Sequence, residues 1–491
     1  MKRRNASVPA PSRTDFGRTG RLPAGPDRTL SRHEMMDVGR GVAVLGILWL
    51  NVFLFALPFE ALVIPGIWGT HNLLNEASWD LVSVAVAGVM RGMFSILFGA
   101  SAMLLLTRAE RADDQVTAID RYFRRLLWLV VFGAVHAYLL IWPHDILYAY
   151  GLLGMLIFPF RHVASRKLAV IAALMIAGSS VFTSENVEEI GAARERAEEA
   201  LTDAGRERLQ DEAPLVDELD EWGALDPRIR PAALDAPSGA ETEAEDPDVE
   251  DAELEALIER LTEEMQERHK GYIDNLVAMA PDSFQQQTTE MVGNHLLDIG
   301  AFLLIGMVLY RSGFFHAAWS TAAYRRLALG GYALGLVIGW LTRGTFAHGS
   351  ELATLSDIAA DYGFDLRRLA LALANFALVA MLVRSRALRR LRHALGACGR
   401  MALSLYIAQT IVCNALFLGY GLSLFGESEH YQLVLVALGL TLLQLAIAPL
   451  VLARFGQGPL ERLLRRLIDW GRSADERRVE APVGLAAGSG R

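Results

Sequence analysis

Met36 to Pro58 reads MDVGRGVAVLGILWLNVFLFALP, a charged start running into an apolar stretch that is broken late by one amide. The spacing predicts a single helix. Asp37 and Arg40 are three apart, so they share a face within pairing reach. From Arg40 the same face returns at Asn51 after three turns, roughly 16 Å along the axis. Such a helix carries a cation at one membrane face and an amide deep in the bilayer. Polar groups at that depth cost free energy unless they meet partners, which makes them functional candidates. The plainer alternative is a topogenic first span, with an internal Asp–Arg clasp and an Asn joining it to a neighbouring helix.

Outward from this stretch, apolar runs of near-membrane length recur at 80–106, 124–142, 145–160, 167–184, 293–311, 324–342, 367–384, 400–421 and 432–454. Together with 41–58 they predict an all-α polytopic membrane protein, a bundle of about ten transmembrane helices. The span 80–106 is long enough to be broken around Arg91–Gly92. Five units follow: a basic, disordered tail over 1–35, spans 1–5 over 36–184, an acidic insert over 185–292, spans 6–10 over 293–454, and an amphipathic helix with a tail over 455–491. In a chain of 491 residues with net charge −9, the segment 185–270 alone carries −20, leaving +11 for the rest. That surplus collects in alternate loops, in the Arg-rich N-terminal tail, 107–125, 161–167, 311–326, 384–400 and beyond 454. With ten spans all of these fall on one side. The positive-inside rule then puts both termini in the cytoplasm and the insert outside.

The insert's second half places Leu254, Ile258, Leu261, Met265, Tyr272 and Leu276 at helical spacing, which predicts an amphipathic helix over 251–279. It would pack over the outer mouth or against a second copy, so a homodimer is open. After the last span, GPLERLLRRLIDW predicts a basic amphipathic helix on the cytoplasmic leaflet. Cys398 and Cys413 would lie about 22 Å apart on one helix, beyond disulfide reach. No metal-ligand spacing occurs and nothing in the pattern points to nucleic acid.

Candidate chemistry gathers toward the outer half. His136 precedes a turn holding Trp142, His144 and Asp145, where a neutral imidazole beside a carboxylate suits a general base. His71 lies in the first outer loop, and His295 and Asp298 share a face of the sixth span. Arg91 falls mid-membrane and needs a partner. The ninth span carries Ser404, Tyr406, Gln409, Thr410 and Asn414, too polar to face lipid. Most of these suit helix–helix bonding, with Gln409 a candidate for the pocket.

Five stretches in order carry a resemblance to a family: DVGRGVAVLGILWLN at 37–51, MFSILFGASA at 93–102, FGAVHAYLLIWPHDILYAYGLLG at 132–154, GRMALSLYIAQT at 399–410 and GPLERLLRRL at 458–467. The chain resembles the YeiB-like bacterial inner-membrane proteins over nearly all of its membrane portion. At a greater distance it is similar to membrane acyltransferases of the heparan glucosaminide acetyltransferase type, whose first helix similarly runs from an Arg–Gly pair to an Asn. In the acyltransferases that modify bacterial surface glycans that position is a His, so Asn51 fits the heparan-type branch. There the catalytic His follows the first helix, and His71 is the corresponding residue here, in a longer loop. The resemblance implies acyl transfer in the bacterial inner membrane. Acyl-CoA would be the donor, held by Arg40, and an extracytoplasmic sugar or lipid headgroup the acceptor. Asn51 would steady the developing oxyanion. The competing expectation is a transporter or flippase in which the His/Asp pairs relay protons. One blind cavity with a narrow cytoplasmic tunnel favours the enzyme, and a wide cleft between pseudo-symmetric halves favours transport. A membrane scaffold using the insert to bind a partner is a third expectation.

Overall fold

The computed structural model describes residues 28–59, 72–112, 114–180, 260–344, 353–385 and 388–471, and every regular element among them is helical. His71, the acidic stretch 185–259 and the ends 1–27 and 472–491 lie outside the described residues, whereas 28–35, expected as part of a disordered tail, are already helical. Helix α1 (Arg28–Ala56) is the central strut. It packs against α3 (Val89–Ala109), α11 (Ala353–Arg384), α12 (Arg389–Arg400), α13 (Ala402–Phe417) and α14 (His430–Phe455). Around it, α3 lies along α9 (Leu296–Arg311), α4 (Gln115–Ala134) along α5 (Leu147–Leu156), and α10 (Thr321–Gly344) along α11. One continuous apolar core joins these elements.

Five helical stretches among the described residues are long and apolar enough to cross a membrane: Glu34–Ala56, Leu73–Ala109, Tyr272–Arg311, Gly363–Arg384 and His430–Phe455. The bent pair α12 and α13 makes a sixth candidate. The ten expected spans are therefore not all matched. Of the others, α5 has ten residues and α4 passes into a different helical geometry at Val135. Helix α10 carries Arg325, Arg326 and Arg343, and another helix covers only 165–180. Helix α14 leaves Leu435, Leu442, Leu443 and Leu450 exposed, as a lipid-facing surface requires. The protein is a helical membrane protein.

Three elements differ from expectation for local reasons. The ninth span, expected over 400–421, is α13, while α12 occupies the expected basic loop 384–400 and meets it at 82° about Met401, so Cys398 and Cys413 lie on two helices rather than one. Helix α12 lies backbone to backbone on α1, with Gly399 against the Asp37 carbonyl and Gly41 against that of Leu395. Only residues without a Cβ permit this approach, and the chain must turn at Met401 to re-enter the bundle. The second span breaks at Ala87–Gly88, where Gly88 has φ +72°, and Gly92 stays helical. The expected insert helix is split into 260–268 and α8 (Tyr272–Gln287), because Gly271 begins a new helix there. Asn275 is buried at that joint, and its Nδ2 donates to the carbonyls of Arg268, Lys270 and Gly271.

Candidate functional site

Three short π-helices, Leu81–Val86, Val135–Leu139 and Met291–His295, interrupt the long helices. A π-turn bonds i to i+5 and leaves neighbouring carbonyls without their usual donors. In the segment 135–142, Ser283 donates to the Ala137 carbonyl, Tyr272 to Leu139 at 2.6 Å, and Asn414 to Leu140 at 2.6 Å. Helix α8 of the insert thus stitches the segment that carries His136. Ile141 within it has φ +52°, a conformation costly for a β-branched residue and found where surroundings over-determine the backbone.

This reversal folds His136 onto Asp145. Nδ1 of the fully buried imidazole lies 2.7 Å from Asp145 Oδ1, and Nε2 lies 2.8 Å from the Thr410 hydroxyl. The other carboxylate oxygen of Asp145 accepts the Tyr148 amide at 2.8 Å, holding it at the start of α5. An ionised carboxylate only accepts, so Nδ1 carries a proton, and in the neutral imidazole bare Nε2 then accepts from Thr410. The ring of Tyr406 stands edge-on to His136, and Trp142 donates to the Tyr406 hydroxyl at 3.3 Å while stacking on Phe55. Sequence spacing suggested His144 beside Asp145, but it is His136 that the structure pairs with that carboxylate. Gly133 lies against Asp145 Oδ2 and the Tyr148 amide, with no room for a methyl. Gly133→Ala should therefore push Asp145 off His136 and destabilise the protein by about 1–3 kcal/mol, as overpacking does. A lowered thermal midpoint in detergent is the measurement.

Two cavities flank this group from opposite ends and share no lining residue. The basic cavity, about 930 Å³, opens among Arg40, Arg108, Arg121, Arg125, Arg400 and Arg465, with Glu461 as its one carboxylate. Its deeper wall is apolar and aromatic, ending at Phe94, Phe98, Tyr150, Ile146 and Tyr406. Arg40 pairs with Asp37 at 3.3 Å, as the spacing predicted, and donates to Ser101 at 3.1 Å. Arg125 has no carboxylate partner among the described residues. Helix α15 (Pro459–Ile468) closes the rim: Glu461 accepts from the Ser404 hydroxyl at 2.5 Å, and Leu464 is buried. The apolar stripe of this terminal helix therefore seats partly on the bundle.

The insert-side cavity, about 760 Å³, lies under residues 260–290 and is lined by Trp142, His144, Asn414, Arg260, Arg268 and carboxylates including Glu264 and Asp282. Burial, with Arg268 and Arg91 nearby, holds His144 down to about 4, so its imidazole is neutral.

The remaining expected residues fall elsewhere. Asn51 is half-buried on the face of α1 between Ile47 of the basic cavity and Leu54 of the insert-side cavity, and lines neither. Gln409 gives its Nε2 to the Val44 carbonyl and to Gln444, which makes it a helix clasp. Arg91 pairs with Asp298 at 2.6 Å, and Asp298 also pairs with Arg368, which in turn pairs with Asp365. His295 is buried in the third π-turn, three residues before Asp298. Arg367 donates to the carbonyls of Ser83, Val84 and Ala87, stitching the first π-turn as Ser283 stitches the second.

Sequence reasoning passed over Asp365, Arg367 and Arg368. An Asp and an Arg at i and i+3 beside an apolar run were the available signal. It read Arg108, Arg121, Arg125 and Arg400 only as topology markers, and Thr410 and Tyr406 only as helix contacts. No group of three or more metal-ligating side chains occurs among the described residues.

Fold and site together define a polytopic helical membrane protein with a buried Asp–His–Thr group between two cavities. Residues 309–471 match the family described as "Protein of unknown function (DUF418)". The chain is 25% identical over 456 residues to the uncharacterized protein YxaH of Bacillus subtilis (strain 168), covering 90% of this chain and 95% of that relative. It is 25% identical over 453 residues to the uncharacterized protein YeiB of Escherichia coli (strain K12), covering 89% and 96%. The chain is thus YeiB-like along nearly its whole length. No solved structure matches it.

Proposed function

We propose that this protein is a membrane-embedded acyltransferase. It takes an acyl group from acyl-CoA in the basic cavity and gives it to a hydroxyl or amine of a sugar or lipid headgroup in the insert-side cavity. The observation that carries this reading is the placement of His136, oriented by Asp145, between a cationic amphipathic cavity and a polar one. Six arginines lining the cavity match the phosphates of a CoA-type donor, and its apolar and aromatic lining matches the acyl end. His136 Nε2 serves as the general base. The oxyanion donor expected of Asn51 is instead Tyr406, which lines the basic cavity and whose hydroxyl receives the Trp142 N–H. The positive-inside pattern assigns the basic cavity and both termini to the cytoplasm and the insert to the far side.

Binding of radiolabelled acetyl-CoA to the detergent-solubilised chain tests the donor half. Arg125→Gln should weaken it about tenfold, the effect of losing one charge-assisted hydrogen bond. Arg40→Gln should act in the same direction, and raising the salt concentration should weaken binding to the wild type. Undiminished binding in an Arg40→Gln/Arg125→Gln variant, or none in the wild type, would remove the donor. Passage of an intact solute across vesicles without CoA release would favour transport.

A further inference from the structure

The two cavities share no lining residue, and His136, Asp145 and Thr410 are buried and line neither. The partition between them consists of Trp142, Tyr406, His136 and Thr410, joined by the contacts given above. Two chain segments cross it in the same sense. On α13, Tyr406 faces the basic cavity, Asn414 faces the insert-side cavity, and Thr410 lies one turn from each. On the hairpin, Trp142 and His144 line the insert-side cavity, Ile146 and Leu147 line the basic one, and Asp145 lies between. A donor in one cavity and an acceptor in the other are therefore separated by protein, with one activated hydroxyl in the dividing layer.

Resting on the acyl-transfer reading, we propose that Thr410 is a covalent relay: it accepts the acyl group from the donor on one side and surrenders it to the acceptor on the other. The arrangement Asp145–His136–Thr410, with contacts of 2.7 and 2.8 Å, is that of a nucleophile, its base and the group orienting the base. In the first half-reaction the Thr410 oxygen attacks the thioester carbonyl and its proton passes to His136 Nε2. The C–S bond breaks, and the leaving thiolate takes the proton from His136. In the second, the acceptor hydroxyl or amine attacks the Thr410 ester and gives its proton to His136. The C–O bond to Thr410 breaks, and the threonine oxygen recovers the proton. No oxidant or further reagent is needed, and donor and acceptor never share a cavity.

The test uses the full chain in detergent with isotope-labelled acetyl-CoA and no acceptor, quenched in acid and mapped by peptide mass spectrometry. One acetyl group is expected on the peptide containing Thr410, removed by hydroxylamine at alkaline pH. Thr410→Ser should keep the label. Thr410→Val, which preserves shape, should lose it and should slow CoA release at least a hundredfold, with acetyl-CoA binding unchanged and the thermal midpoint slightly lowered because buried Nε2 loses its donor. CoA release by Thr410→Val at the wild-type rate, or steady wild-type release with Thr410 never labelled, would overturn the relay while leaving direct acyl transfer intact. Absence of both acetyl-CoA binding and CoA release in the wild type would instead overturn the acyl-transfer reading, and the relay with it.

Discussion

On the proposed acyl-transfer reading, Asp145→Asn is expected to give a folded protein that transfers acyl groups about 10⁴-fold more slowly than wild type, the loss found when the orienting carboxylate of such a group becomes an amide. The reason lies in which atoms the amide must satisfy. The Tyr148 N–H needs an acceptor, so the oxygen of the new amide takes the place of Oδ2 and its NH₂ turns toward His136. A donor facing Nδ1 forces the imidazole proton onto Nε2. That nitrogen then confronts the Thr410 hydroxyl as a donor, and the base is gone. The substitution keeps volume and both hydrogen bonds, so the thermal midpoint should move little. Following label from acetyl-CoA into the lipid and glycan fractions of vesicles reads the effect. A rate within tenfold of wild type would mean that His136 is not the base.

Much of this arrangement was legible in the sequence. The central helix announced itself through its position and its Asp37–Arg40 clasp. The polar residues of α13 could not face lipid, and Ser404, Tyr406, Gln409, Thr410 and Asn414 are all buried. The pairing of His136 with Asp145 was not legible. Nine residues along an ideal helix are roughly 13 Å, and only a π-turn followed by a tight reversal reduces that to contact. Nothing in single-residue spacing marks a π-turn. It is specified by donors that arrive from afar, here Ser283, Tyr272 and Asn414. The basic cavity was hidden for another reason. Arginines flanking spans satisfy the topology rule whether or not they also converge, and only the fold brings Arg40, Arg125 and Arg400 around one opening. The break in the second span was expected about a turn late, at Arg91–Gly92 rather than Gly88, and the one at Gly271 was missed, because either glycine is compatible with a continuous helix until tertiary contacts decide.

Arg368→Ala should be the most damaging single change to stability, at about 3–5 kcal/mol, because it leaves Asp365 buried without its cation and Asp298 with Arg91 alone. Arg368 pairs with Asp298 at 2.8 Å and Asp365 at 2.6 Å, and all three side chains are only 1–2% exposed, so water cannot take over either partner. The guanidinium also donates to the Gly88 carbonyl at 3.3 Å, tying the break in the second span to α11. Its loss would therefore loosen the segment from which Arg91 reaches Asp298 and on which the Arg91 carbonyl accepts from Ser95. Ser95 in turn holds the Tyr150 hydroxyl, 2.9 Å away, at the deep wall of the basic cavity. Thermal unfolding in detergent should show a drop of several degrees at least, and acetyl-CoA binding should weaken as that wall relaxes. The sharper test is the triple change Arg368→Met/Asp298→Leu/Asp365→Leu. Replacing a buried ionic group wholesale removes the desolvation cost along with the attraction, so this variant should recover part of the stability that Arg368→Ala loses. Arg91 would then be the cation left without its carboxylate, and its 32% exposure lets water serve it. A triple variant less stable than Arg368→Ala would mean that the charges fix the geometry of the break itself, beyond balancing one another.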